Sequence, residues 1–365
     1  MATDCTTTQL DSRSKQQFRR RLLKWYAKHQ RDLPWRKSKN PYRVWVSEVM
    51  LQQTQVATVR DYFRRFIKEF PTVKKLAAAD EEQVLRLWEG LGYYRRARQL
   101  HAAAQQIVAE HGGRFPADVE TLQTLPGIGR YTAGAIVSIA FDRRAPILEA
   151  NTIRLLARLL AYRDDPTKSA GQRLLWQTAE ELLPRQDVSQ FNQALMELGS
   201  LVCTPKNPNC TECPVREHCA AHEAGLENEI PVATARHKFV DIREAAVVVR
   251  KQSKILLRKC GEDERWAGLW DFPRFAVEGQ GPLFARDELA EKVHEQSGIE
   301  IRPATHLKTI KHGVTRYRIT LDCYTAQYAS GRLHRNGSEL RWTSQRELSE
   351  LPLSSTGRKI AELVS

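Results

Sequence analysis

The chain has 365 residues, 41% of them hydrophobic, enough for two or three domains with ordinary cores. Its net charge is +14 and its pI near 9.6, an excess that points to an anionic partner, most often nucleic acid. No apolar run approaches the roughly 18 residues a spanning helix needs, so a membrane partner is not expected. Cys5, Cys260 and Cys323 are scattered, which fits a reducing cytoplasm.

Residues 1–14 are polar and Thr-rich, without the apolar stretch of a signal peptide, and read as a short disordered tail. From 15 to 225 the chain reads as nearly all helix. The spacing predicts helices over Ser14–His29, Val44–Phe70, Glu82–Leu87, Ala97–His111, Arg130–Phe141, Thr152–Ala161, Gly171–Leu183 and Phe191–Val202, separated by Pro, Gly and Asp. Basic clusters lie beside aromatics: Arg36–Lys39 next to Trp35, and Arg95, Arg96 and Arg98 next to Tyr93 and Tyr94. Such interleaving suits a polyanion with stackable bases.

Within this helical stretch, Val44–Leu51 places one carboxylate, Glu48, in an otherwise apolar helix. A buried, unpaired glutamate is costly when charged, so its pKa is expected to rise. Gln52, Gln53 and Thr54 follow, and their polar groups could fill the space left by an extruded base. Leu125-Pro126-Gly127-Ile128-Gly129-Arg130 lies between two helical segments. Gly127 and Gly129 allow a sharp turn that leaves backbone N–H groups free for a phosphate. Ala133, Gly134 and Ala135 keep the next helix thin. Further on, Ile147–Asn151 enters a helix that Asn151 is placed to cap. Glu149, just upstream, would feel the helix N-terminus and stay ionised. A protonated Glu48 beside an ionised Glu149 is the pairing that breaks glycosidic bonds at neutral pH.

Cys203, Cys210, Cys213 and Cys219 read C-x6-C-x2-C-x5-C among three prolines. Zinc sites usually pair two short knuckles, and only Cys210 and Cys213 make one. The wider outer gaps favour an iron–sulfur cubane, with zinc or two disulfides as the other readings. Residues 226–240 form a linker candidate. The texture then changes. Ala245–Arg250, Lys254–Arg258 and Tyr317–Tyr328 are strand-like and Leu283–Gln296 is helical, an α+β pattern over 241–365.

Taken together, Trp45–Val59, the run Trp88–Tyr94, the Leu125–Arg130 turn and the cysteine loop resemble the adenine DNA glycosylase family of the endonuclease III superfamily, over residues 15–225. The tail resembles that family's Nudix-like domain through Gly268–Pro273 (GLWDFP). The resemblance implies a mainly α protein. A two-lobed all-helical helix-hairpin-helix glycosylase domain with an iron–sulfur loop would precede a C-terminal α+β Nudix-like domain. Glu48 would protonate adenine, and Glu149 would stabilise the sugar cation in place of the family's aspartate. Asn151 would lie beside them. Trp35 and Arg36 would line the adenine pocket, and Gln53, Leu91 and Tyr93 would wedge beside the base opposite. His312 and Thr315 stand in the lesion-reading loop, where Arg316 replaces a histidine. The cysteines would hold a 4Fe-4S cluster. Tyr131 occupies the position where backbone-cutting relatives carry lysine, so a monofunctional enzyme is implied. The stretch Arg286–Ile299 lacks a full set of magnesium-binding glutamates.

The implied partner is double-stranded DNA with an adenine:8-oxoguanine or adenine:guanine mispair. The protein is expected to be a monomer in a bacterial cytoplasm, associated with the nucleoid. Two other functions fit parts of the pattern. One is a thymine–guanine mismatch glycosylase; the other is a non-catalytic lesion-binding homologue, which the change at Glu149 suggests.

Overall fold

A computed structural model describes residues 11–232, 239–277, 286–334 and 337–364. Contacts divide the chain into two units. The first comprises Met1–Ala77 and Ala102–Ala235; the second joins Ala78–His101 to Arg236–Ser365.

Helix α1 (Ser12–His29) starts on Asp11, whose carboxylate accepts from the Ser14 N–H, so the helix already includes Ser12, Arg13 and Ser14. Helix α2 (Pro41–Leu51) is capped by Asn40 and buries every residue from Val44 to Met50. The expected continuous helix over Val44–Phe70 does not form. The chain breaks after Gln52 and resumes as α3 (Val56–Glu69), because Gln53 sits at φ 57°. A left-handed residue cannot continue a right-handed helix. Helices α4 (Val73–Ala77), α5 (Glu81–Trp88) and α6 (Arg95–His111) follow, with α5 and the start of α6 in the second unit.

Helix α7 (Val119–Gln123) leads into the glycine turn and α8 (Arg130–Ala135), which continues as a π-helical stretch over Ile136–Ala140. The thin-helix expectation holds at Gly134, where a Cβ would stand 2.4 Å from the Pro146 carbonyl oxygen. Helices α9 (Ala150–Leu159), α10 (Ser169–Leu182), α11 (Val188–Leu201) and α12 (Ala220–Glu223) complete this unit. Helix α11 packs on α1, α9 and the π stretch. Phe18, Leu22, Leu155, Phe191 and Leu195 fill the core beneath the cysteine loop.

The second unit holds a mixed sheet of eight strands: β1 (Val240–Lys251), β2 (Lys254–Lys259), β3 (Trp270–Asp271), β4 (Arg274–Ala276), β5 (Ile299–Ile301), β6 (Thr305–Val314), β7 (Tyr317–Gly331) and β8 (Leu340–Ser344). The path β3-β2-β1-β7-β5 is extended by β4 on β1, β6 on β7 and β8 on β2. Strands β1 and β7 run parallel, with Ala246 opposite Cys323. Ala245–Val249 are buried without alternation, because both faces of this central strand are covered. One face packs on α14 (Gln345–Glu350) and α15 (Ser355–Leu363) through Leu348 and Ile360. The other packs on Leu289 and Val293 of α13 (Arg286–Ser297). The strands expected at 245–250, 254–258 and 317–328 are present. The start of the helix expected over 283–296 lies outside the described residues.

Candidate active site and iron–sulfur loop

Helix α2 brings Glu48 to a position where only 5% of it is exposed. It is not unpaired as expected: the Tyr131 hydroxyl donates to its Oε2 and also lies 3.5 Å from the Met196 sulfur. Burial pushes the Glu48 carboxyl up to about 7, against the lowering effect of the Tyr131 hydrogen bond, while the nearby Glu149 charge raises it further. Tyr131 is itself buried, and its phenol is pushed well above the usual range by burial and by Glu48.

Asn151 does not cap α9. Glu149 does, accepting from the backbone N–H groups of Asn151 (2.9 Å) and Thr152 (3.0 Å), while Thr152 Oγ1 accepts from the Glu149 N–H in return. Asn151 stands inside the first turn, donating its Nδ2 to Glu149 Oε2 at 3.0 Å and accepting from Arg154 at 2.9 Å. Its place is set by Gly199 of α11, where a Cβ would meet the Asn151 Cβ at 2.7 Å. The helix N-terminus suggested that Glu149 would stay ionised, with no rise in its pKa. Instead burial raises it, with the two amide bonds and Arg154 opposing.

Trp35 is buried and meets Phe63 edge to face at 5.6 Å. Arg36 donates twice to Glu197, at 3.1 and 2.9 Å, and Arg31 grips the same carboxylate at 2.9 and 2.7 Å. Burial alone would raise Glu197, but the two guanidinium groups win and hold it at about 2. Sequence reasoning missed Glu197; a glutamate within an apolar helical face, as at Glu48, was the available signal.

Gly127 adopts φ 73° and Gly129 ends the turn as the residue before α8, its N-terminal arginine Arg130 stacking on Trp176 at 3.9 Å. Gln53 is exposed at its left-handed break. The other site candidates belong to the second unit. Leu91 is buried, whereas Tyr93 is 49% exposed. His312 of β6 pairs across from Ile319 of β7, and burial lowers its imidazole to about 4. Thr315 lies at the hairpin tip with φ 52°, its hydroxyl donating to the Val314 carbonyl.

The four clustered cysteines are all free thiols, which removes the disulfide reading. They line one cavity together with Leu155, Pro208 and Val215. Tetrahedral zinc would draw its thiolates to about 3.8 Å from one another. The Cys210 sulfur also lies within 4.8 Å of ligand atoms of His222 and Glu227. Arg158, almost fully buried, donates to Cys203 Sγ at 3.2 Å and to the Thr204 carbonyl at 2.8 Å. Burial pushes Cys213 up to about 12 and Cys219 to about 11. Four thiolates here therefore call for a bound cation; Cys203, Cys210, Cys213 and Cys219 would hold it, and binding there would couple to the order of this loop.

Fold, acidic site and cysteine loop together define a helix-hairpin-helix DNA glycosylase. Residues 46–181 match the HhH-GPD superfamily of base excision DNA repair proteins, 203–219 the iron-sulfur binding domain of endonuclease III, and 244–363 the NUDIX domain. The adenine DNA glycosylase of Rattus norvegicus is 38% identical, over 84% of this chain and 70% of that one. That of Homo sapiens is 35% identical, over 94% and 73%. Among solved structures, a thermostable thymine-DNA glycosylase is 26% identical with a TM-score of 0.54, covering 58% of this chain and 98% of that one. Endonuclease III in a non-covalent DNA complex shares the fold at 22% identity and a TM-score of 0.51, covering 60% of this chain and 99% of that one. The chain belongs to the adenine DNA glycosylase family. It is a base excision repair glycosylase that binds DNA and carries an iron–sulfur cluster, and no described helix is long and apolar enough to cross a membrane.

Proposed function

We propose that the protein excises adenine mispaired with 8-oxoguanine, and with guanine to a lesser degree, without cutting the backbone. The observation that carries this is the buried Glu48 carboxyl. Burial carries its pKa to about 7 despite the Tyr131 hydrogen bond, so a substantial share of the molecules keep the proton at neutral pH. Adenine must leave the stack to reach it. Glu48 gives its proton to the adenine ring, and the sugar–nitrogen bond breaks with its electron pair on the base. The sugar is left cationic, and Glu149 stabilises it, with Asn151 and Arg154 fixing that carboxylate. Water then adds to the sugar and returns a proton to Glu48. Tyr131 cannot form an imine, which supports hydrolysis alone.

In this reading residues 15–225 act on adenine, with Trp35 and Arg36 along its pocket and Gly127 and Gly129 on a phosphate. Gln53, Leu91 and Tyr93 occupy the space beside the opposite base. Residues 241–365 read that base through His312 and Thr315, and 226–240 join the two parts. The protein works as a monomer on nucleoid DNA in a bacterial cytoplasm, a compartment in keeping with its free thiols.

A thymine–guanine mismatch activity is the second reading, favoured by the likeness to a thymine-DNA glycosylase. The match over 244–363 argues for the first. Single-turnover rates on duplexes with adenine opposite 8-oxoguanine, adenine opposite guanine and thymine opposite guanine decide between them. Adenine should be released fastest opposite 8-oxoguanine, with thymine untouched and no borohydride-trapped adduct. Thymine release overturns the proposal, as does absence of any release.

The cluster makes a separate expectation. Fresh protein should be brown and hold about four irons per chain. Cys210→Ser should lose that iron and weaken DNA binding. Stoichiometric zinc without iron in protein prepared anaerobically would refute the 4Fe-4S assignment.

A further inference from the structure

The turn between α5 and α6 is tightly constrained. Gly90, Gly92 and Tyr93 have φ values of 95°, 71° and 49°. Glycine adopts such angles freely, but a tyrosine must be held there. The turn is closed from within: Trp88 Nε1 donates to the Gly92 carbonyl at 3.2 Å, and Arg96 donates to the same oxygen at 3.3 Å. It presents the exposed Tyr93 ring.

These internal bonds do not account for Glu89, the residue immediately before the turn, whose side chain is only 9% exposed. Arg358 of α15 grips it with two parallel bonds, Nε to Oε1 at 2.6 Å and Nη2 to Oε2 at 3.0 Å. The Leu353 N–H donates to the same Oε2 at 3.3 Å. Arg358 is in turn fixed by donating to the carbonyls of Leu348 and Leu351, at 3.0 and 2.7 Å. At the other end of α5, Glu82 accepts from Lys259 and from Trp270 Nε1, both at 2.9 Å. Helix α5 is thus tied at both ends to the sheet-bearing part of its unit. The core that contains Leu351, Leu353 and Ile360 also contains Ile310 of β6 and, opposite it on β7, Leu321, together with Ile319, which pairs with His312.

We propose that Glu89 and Arg358 form a positioning pair that couples the β6–β7 hairpin to the Gly90–Tyr93 turn, so that both engage the base opposite adenine as one rigid element. This rests on the 8-oxoguanine reading above. Two surfaces that meet the same base must keep a fixed separation. A bidentate guanidinium–carboxylate pair fixes distance and angle, where a lysine supplies charge alone.

The test compares single-turnover rates opposite 8-oxoguanine and opposite guanine for Glu89→Gln, Arg358→Lys and the double variant Glu89→Gln/Arg358→Met. Glu89→Gln should lower the 8-oxoguanine preference about tenfold by slowing that duplex, with the guanine duplex within about twofold of wild type. Arg358→Lys should lose a similar factor because the fork is gone. The double variant should lose no more than either single change, since the pair acts as a unit. Equal slowing on both duplexes, or an unchanged ratio, overturns the coupling. A wild-type protein without 8-oxoguanine preference sinks the underlying reading instead. The pair is then judged by amide exchange at residues 90–94: faster exchange in Glu89→Gln sustains it, and unchanged exchange refutes it.

Discussion

Glu48→Gln should bind mispaired DNA normally yet release adenine at least about a thousandfold more slowly than wild type, the upper range of what one general acid supplies. Glutamine matches the carboxyl in shape but has no acidic proton. Its amide oxygen still accepts from Tyr131, so α2 has no reason to move. The wild-type pH profile gives the companion expectation. The acid form is the active one, and burial carries its pKa to about 7. The rate should therefore fall above that pH, about tenfold per unit, and fall again in acid as Glu149, whose carboxyl burial also raises, takes up a proton. Stability has the same sign. A carboxyl whose folded pKa is raised contributes stability that is complete below its free value and lost as pH climbs through about 7. Glutamine stays neutral throughout, so the variant should melt no lower than wild type above neutrality. Thermal melts and single-turnover assays across pH check both statements. A Gln variant within tenfold of wild type would exclude Glu48 as the acid.

Glu149→Gln should cost roughly 100-fold or more in the same assay, the scale of removing one preorganised charge from a developing cation. The structure adds a complication, because Glu149 also caps α9. A neutral glutamine oxygen can still accept from the Asn151 and Thr152 amides, so the variant should fold with only modest loss of melting temperature. Glu149→Ala removes both functions and should lose about 0.5–2 kcal/mol of stability as well. Glu149→Asp separates reach from charge. Aspartate is a good cap, so the fold is secure, and its shorter arm reports whether the sugar lies at the distance the longer side chain requires. A faster Asp variant means the backbone matches that of the family; a slower one means it has adapted to glutamate. If Glu149→Gln lowers melting temperature but leaves the rate intact, the residue is a cap and nothing more.

The tie between function and fold was partly legible. The apolar period around Glu48 forecast its burial, and Gly134 forecast a close helix approach. Both are local statements, since period and residue size are properties of a single segment. The capping of α9 was misassigned because Glu149 and Asn151 are both able acceptors two residues apart. Which of them caps depends on where α11 presses, and Gly199 places Asn151 inside the turn. The supposed helix over Val44–Phe70 failed for a similar reason. Gln52–Gln55 carry no proline or glycine, so nothing in their composition announced the left-handed residue that folds α3 back against α2.

By itself the sequence determined most of the long helices and three of the strands, where the chain turns on Gly127, and that four thiols gather in one short loop. Those features depend on neighbours within a few residues. Only the tertiary structure decided the partners: Tyr131 for Glu48 across 83 positions, Glu197 for Arg36 across 161, and Arg358 for Glu89 across 269. Hydrophobic periodicity records which face of a helix is buried but not what it is buried against. Burial and pairings between distant groups are settled by how helices cross and sheets close; burial raises Glu48 against its Tyr131 bond, the arginine pairs hold Glu197 low, and Arg358 holds the residue before the Gly90–Tyr93 turn.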